Sequence, residues 1–216
     1  KFKENYGQQF RLLRKKVAII TYTNAAADEI VHRLDRDPIF EVSTIHSFAW
    51  ALIKSFTSDI KKWLENDLYT SIVKLEEEQG KSRSLTNRTS IDRAKRIESK
   101  KKRLLHLSEI RKFVYSPTSD NITRDSLNHN EVISIAANFI QRSSLVQRLL
   151  VSKFPILLID ESQDTKEELI DAFFTLQQAM SKEISLGLFG DTMQRIYSDG
   201  KENLEKSFPS TWQTPE

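Results

Sequence analysis

Three short runs of this chain are apolar throughout instead of alternating: KKVAIITYT (15–23), PILLID (155–160) and EISLGLFGD (183–191). A strand with one wet face alternates apolar and polar side chains, whereas a strand covered on both faces does not. The runs therefore favour a parallel sheet with helices on both sides. The order of patterns agrees with this. After the first run, Ala27, Ile30, Val31 and Leu34 recur at helical spacing until Asp37-Pro38. A short strand, FEVSTI, and an apolar helix, HSFAWALIKSF, come next. Strand, helix, strand, helix is the signature of an α/β domain.

The character changes after Thr57. Residues 58–79 and 90–113 read as two polar helices separated by GKSRSLTNRTS, and 116–130 (SPTSDNITRDSLNHN) read as a loop. Residues 58–125 are taken as a helical insertion, with 1–57 and 126–216 as the two parts of the sheet domain. The helical pattern returns at Glu131, where Asn128 and Glu131 have the spacing of a capping box, and continues to about Ser152. A second box, Thr165 to Glu168 (TKEE), opens the helix after PILLID, with Leu169, Phe173, Leu176 and Met180 on one face.

Charge is unevenly spread. Between 81 and 112, twelve Lys/Arg face only Asp92, Glu98 and Glu109, so this stretch carries +9 in a chain of net charge +3. Such a run suits a polyanion, and equally a solvated helix face. The chain has no cysteine, which excludes disulfides, thiol nucleophiles and cysteine-ligated metals. That fits a reducing compartment, and the cytoplasm is the expected location. No run approaches the roughly 18 apolar residues of a membrane span, so no membrane partner is expected.

In an open parallel sheet, ligands bind beyond the carboxyl ends of the strands. Three strands here end in polar clusters, at 21–24, 160–164 and 190–197. If the sheet is parallel, all three share one rim. Asp160 and Glu161 are adjacent, so their side chains diverge and can take separate tasks. One can hold Mg²⁺, and the other can orient or deprotonate an attacking water. An acid-rich helix start would look the same. In GDTMQRIY (190–197), Gly190 permits a tight exit, Asp191 adds a carboxylate, Gln194 can bond a phosphate or water, and Tyr197 can stack on a base.

Taken with TYTNAAADEI and STIHSF, these segments resemble the UvrD/Rep-like superfamily 1 DNA helicases. Residues 21–30 look like that family's motif Ia and 44–48 like motif Ib. Asp160-Glu161-Ser162-Gln163-Asp164 matches motif II (DExQD), and 190–197 matches motif III (GDxxQxIY). The resemblance covers about 15–56 and 131–197. It implies a RecA-like P-loop NTPase sheet with a helical 1B-type insertion, and an ATP-dependent helicase or translocase with 3′→5′ polarity as the expectation. By position, Asp160 would serve Mg²⁺, Glu161 would be the catalytic base, and Gln194 would sense the γ-phosphate. Gln163 would join them around the nucleotide. Tyr22 would stack on a single-stranded base. Thr23, Asn24, Thr44, His46 and Ser47 would approach the DNA backbone, and Tyr197 the bases. Lys100, Lys101, Lys102 and Arg103 are the expected phosphate ligands of the insertion. Ala25 stands where the family commonly has lysine, and SDGK follows Tyr197 in place of an aromatic and Arg-Gly, which marks a divergent branch.

A phosphate loop, G-x-x-x-x-G-K-[ST], wraps the β/γ-phosphates with backbone N–H groups and a lysine. The nearest fragment, LEEEQGKS (75–82), begins on Leu75, carries three glutamates and follows a helix, so it does not qualify. The resemblance implies that the loop lies upstream of Lys1. A second RecA-like domain with an arginine finger would follow, and the 216 residues alone would be inactive. The alternative is a non-catalytic nucleic-acid-binding or protein-interaction module derived from a helicase domain.

Overall fold

The structure is a computed structural model describing residues 1–82, 86–116, 125–191 and 208. It is α/β, with helices flanking a parallel sheet, and the chain divides into two compact units. Unit 1 comprises Lys1–Leu52 and Val132–Glu216, and unit 2 is Ile53–Glu131.

Unit 1 begins with α1 (Phe2–Leu12), β1 (Val17–Thr21), α2 (Asn24–Arg33), β2 (Phe40–Thr44) and α3 (Ile45–Ile53). It continues with α6 (His129–Arg142), α7 (Ser144–Lys153), β5 (Ile156–Ile159), α8 (Glu167–Ala179) and β6 (Ser185–Leu188). The four strands pair in the order β2-β1-β5-β6, every pair parallel. Two of the three unbroken apolar runs are the interior strands β1 and β5, whereas the third, 183–191, forms the edge strand β6, so its lack of alternation does not reflect cover on both faces. Val17, Ala18 and Ile20 of β1 and Leu157 and Ile159 of β5 are at most 3% exposed, whereas β2 and β6 lie at the edges and are only partly covered. Phe48 of α3 stacks near Phe154 and Phe173, with ring centroids 5.7 and 6.4 Å away, so it is a core residue. Leu169, Phe173 and Leu176 of α8 are buried at the predicted helical spacing.

Unit 2 contains α4 (Thr57–Gly80), α5 (Arg88–His106) and two short paired strands, β3 (Val114–Tyr115) and β4 (Ser126–Leu127). Ile60, Leu64, Leu68, Ile72 and Leu75 form one buried stripe along α4. Ser90 is the buried residue of α5, and side-chain bonds join its first turns to the end of α4. Arg93 donates to Gln79 at 3.1 Å, Gln79 to the Ser90 carbonyl at 3.3 Å, and the Ser82 and Ser90 hydroxyls meet at 2.7 Å.

Several local expectations need revision. α5 ends at His106, not near residue 113, and a 3-10 turn over Leu107–Glu109 follows. Residues 126–127, taken as loop, pair with β3. The Asn128–Glu131 capping box forms with both reciprocal bonds, at 3.1 and 2.9 Å. The Thr165–Glu168 box does not, because Lys166 is the residue before α8 and the Glu168 carboxylate accepts from Ser134 Oγ at 2.6 Å.

The α2 pattern stops at Arg33, and Asp35 and Arg36 take left-handed backbone to turn the chain. Asp37 then anchors the turn. Its side chain, 5% exposed, accepts from Ile39 N at 3.1 Å, from Arg11 at 2.7 Å and from Lys3 at 3.1 Å. Burial pushes this carboxyl up, but the bonds from Ile39 and Lys3 and the Arg11 charge outweigh that and hold it below its ordinary value. A carboxyl lowered in the folded state stabilises fully above its unfolded pKa and loses that contribution as pH falls through the folded value. Because Lys3 and Arg11 are half exposed, only part of the ion-pair energy counts. Asp37→Ala is expected to cost about 2 kcal/mol at pH 7, or roughly 4–8 °C in Tm. The difference should shrink below about pH 3.8, the ordinary value of the group. Equal melting temperatures at pH 7 would remove Asp37 from this role.

Candidate nucleotide and nucleic-acid site

The parallel register brings the polar strand ends together. Thr21 pairs with Thr44, Ile20 with Ile159, and Ile159 with Leu188, so the carboxyl ends of all four strands lie on one rim. The ladder continues beyond β5. Asp160 N donates to Ile20 O at 2.8 Å, Phe189 N to Ile159 O at 2.8 Å, and Ser162 N to Phe189 O at 2.9 Å. These bonds fix Asp160 one step past the sheet, beside Thr21 in the continued register.

At Glu161 the chain turns into left-handed backbone, φ 53° and ψ 43°, and enters a 3-10 turn over Ser162–Asp164. A residue with a Cβ pays about 1–2 kcal/mol for that conformation. The result is a division of exposure within five residues. Glu161 faces solvent, Asp160 is half-buried, and Ser162, Gln163 and Asp164 are buried. Gln163 Nε2 donates to Glu161 Oε2 at 2.6 Å. The Thr21 hydroxyl is buried with no hydrogen-bond partner among the described residues. Gly190 and Asp191 close the rim from β6, whereas Gln194 and Tyr197 lie outside the described residues.

Among the described residues no group of three or more His, Asp or Glu is arranged to enclose a metal. Asp160 is a half-buried carboxylate at a strand tip, with Glu161 next to it in the chain. That suits Mg²⁺, which keeps most of its waters and takes one or two carboxylates together with substrate phosphates.

The first two strand ends are built as helix starts. Thr23 Oγ1 accepts from Ala26 N at 3.1 Å and so caps α2, with Asn24 exposed as its first residue and Tyr22 half-buried. Thr44 Oγ1 donates to Ser47 Oγ at 2.9 Å and accepts from Ser47 N at 3.3 Å, capping α3 next to the half-buried His46. These hydroxyls are at the surface but already hold backbone. A cavity of about 340 Å³, lined by Phe2, Tyr6, Phe10, Leu13, Ile156 and Ile184 among others, opens at the amino ends of β5 and β6. It lies at the wrong end of the strands to serve the carboxylates.

The basic run of unit 2 separates into two kinds of residue. Arg103 is turned inward, its side chain 13% exposed. It is paired through both terminal nitrogens with Glu131 and also donates to Ser126 O at 3.0 Å. A planar guanidinium fits a carboxylate bidentately, which explains the choice of arginine. In this arrangement the Arg103 fork, expected to meet phosphate, is engaged by Glu131 and Ser126. Lys101 pairs with Glu76 at 2.5 Å and Lys102 with Glu98 at 2.7 Å, both at the surface, while Lys100 makes no ion pair among the described residues. Exposed pairs contribute little and are readily exchanged for a phosphate.

This division has a measurable consequence. Replacing Lys100, Lys101 and Lys102 together by alanine should weaken single-stranded DNA binding and flatten its salt dependence. The slope should fall by about one unit for each phosphate that is no longer neutralised. Arg103→Ala should leave that slope alone and destabilise unit 2 by about 2 kcal/mol, since it removes the guanidinium from a largely covered carboxylate that keeps only the bond from Asn128 N. A salt slope indifferent to the three lysines would exclude them from the nucleic-acid surface.

The family model for the UvrD/REP helicase N-terminal domain matches residues 8–199. Among curated proteins, Gabija protein GajB of Bacillus cereus (strain HuB5-5) is 26% identical over 260 residues, a match covering 91% of this chain and 38% of GajB. RecBCD enzyme subunit RecB of Buchnera aphidicola subsp. Schizaphis graminum (strain Sg) is 33% identical over 72 residues, 33% of this chain and 6% of RecB. The chain thus spans well under half the length of the curated relatives it matches.

Proposed function

This chain belongs to the UvrD/REP helicase N-terminal domain family, and from that premise we propose that it is part of a DNA helicase or translocase motor. The motor couples Mg-ATP hydrolysis to movement on single-stranded DNA in the 3′→5′ direction and works in the cytoplasm. The observation that carries this reading is the pairing of a family match with a solvent-facing Glu161 next to Asp160 on the carboxyl rim.

Asp160 would hold Mg²⁺, which would supply positive charge to draw electron density from the phosphates. Glu161 orients the attacking water and accepts its proton as the new P–O bond forms and the β–γ bridge breaks, giving ADP and phosphate. The 2.6 Å bond from Gln163 leaves the other carboxylate oxygen of Glu161 for that proton. Tyr22 stacks on a base, an interaction worth about 1–3 kcal/mol. Thr23, Asn24, Thr44, His46 and Ser47 lie along the DNA backbone, and Gln194 and Tyr197 extend the site toward nucleotide and DNA.

The chain's 216 residues contain no G-x-x-x-x-G-K-[ST]. By themselves they supply the acidic half of the site without the phosphate-wrapping half. Alone, they are expected not to turn over ATP. A longer protein that carries this chain together with a phosphate loop and a second RecA-like domain should hydrolyse ATP in the presence of single-stranded DNA. There, Glu161→Gln should lower kcat by at least about 100-fold while Mg-ATP still binds. Turnover by the purified 216 residues, or full hydrolysis by the Glu161→Gln protein, would contradict the proposal.

A further inference from the structure

Gln163 is 1% exposed, and its amide has two different neighbours. Nε2 donates to Glu161 Oε2 at 2.6 Å. The reverse orientation would set an amide oxygen against a carboxylate oxygen, so chemistry fixes which end faces Glu161. Oε1 is buried and has no hydrogen-bond partner among the described residues. It faces Gly190. A Cβ added to that glycine would lie 2.1 Å from Gln163 Oε1, 2.8 Å from Ser162 Oγ and 3.1 Å from Ser162 N. Only a residue without a side chain lets the exit of β6 lie against this amide.

An amide oxygen buried without a partner costs about 1–3 kcal/mol, and a methionine of similar size would avoid that cost. Holding the amide there serves the base. An exposed glutamate otherwise samples many rotamers, whereas proton transfer needs its carboxylate within hydrogen-bond reach of the water. Left-handed backbone at Glu161 sets the direction of its side chain, and Nε2 fixes the far end.

On the reading of Glu161 as the catalytic base, we propose that Gln163 is a positioning residue that holds the Glu161 carboxylate, and that Gly190 sets where the Gln163 amide lies. The exit of β6, the amide and the base form one mechanical chain. A shift of the segment after β6 reaches Glu161 through Gln163.

The test uses the longer motor for kinetics and the 216-residue chain for spectroscopy. In the motor, Gln163→Met should lower kcat about 100-fold, the scale set by a misplaced reacting group, with KM for ATP and DNA affinity unchanged. Gly190→Ala should do the same, and combining it with Gln163→Met should add no further loss, as expected for residues acting as one unit. Gln163→Glu sets two carboxyls against each other at neutral pH. At lower pH the introduced carboxyl is protonated and donates to Glu161 as the amide does. Its kcat relative to wild type should therefore recover as pH falls, while that of Gln163→Met should not. Unchanged kcat in Gln163→Met, additive losses, or equal losses in both Gln163 variants at every pH would overturn the proposal.

In the 216-residue chain, Glu161→Ala alters an exposed side chain. It should shift the Gln163 side-chain amide resonances and speed their hydrogen exchange, with the α8 backbone amides unaffected. An unmoved amide would refute the bond. This measurement stands apart from the functional reading, which fails separately if the wild-type motor hydrolyses no ATP.

Discussion

The parallel register of four strands is the constraint on which the site depends. A parallel pair puts equivalent ends of its strands side by side, so β2, β1, β5 and β6 bring four carboxyl ends to one rim without help from any loop. The backbone bonds of Asp160 to Ile20, Phe189 to Ile159 and Ser162 to Phe189 carry that register beyond the strands. The backbone that carries Asp160 and Glu161 is thus placed by main-chain geometry. Burial of Ile20 in β1 and of Leu157 and Ile159 in β5 holds the register, since a one-residue slip would turn Ile20 or Ile159 toward the wrong helix layer.

On this rigid edge, exposure is divided among neighbours. The left-handed turn at Glu161 sends one carboxylate into solvent while Ser162, Gln163 and Asp164 go inward. Unit 2 shows a similar division on α5. Arg103 is spent internally on Glu131, whereas Lys101 and Lys102 before it sit at the surface in exposed pairs and Lys100 is half-buried. Neighbouring charges on the same segment thus differ in exposure, one turned inward and the two before it at the surface.

Much of this could be read from residues alone. Unbroken apolar runs identified a parallel sheet, because burial on both faces removes alternation. The Asn128–Glu131 box is local and formed as its spacing implied. What escaped the sequence depends on partners distant along the chain. Glu168 leaves its expected box for Ser134, 34 residues away, and Arg103 meets Glu131 across 28 residues. No pattern of period 2 or 3.6 records such pairs. The coupling of Gln163 to Gly190 was equally hidden. The motif showed both residues, but they meet only once β5 and β6 are adjacent.

On the proposed function, the carboxyl rim, and no other part of the sheet, receives the nucleotide and its metal. The most direct measurement is paramagnetic broadening of isoleucine methyl resonances by Mn²⁺ with a non-hydrolysable ATP analogue, in the longer protein containing this chain. Ile20 and Ile159 lie at the carboxyl ends of their strands, Ile156 at the amino end of β5, and Ile184 just before β6. The methyls of Ile20 and Ile159 should broaden first and most strongly, and Asp160→Ala should abolish the effect. Broadening led by Ile156 and Ile184 would place the metal at the opposite end of the sheet and contradict binding at the carboxyl rim.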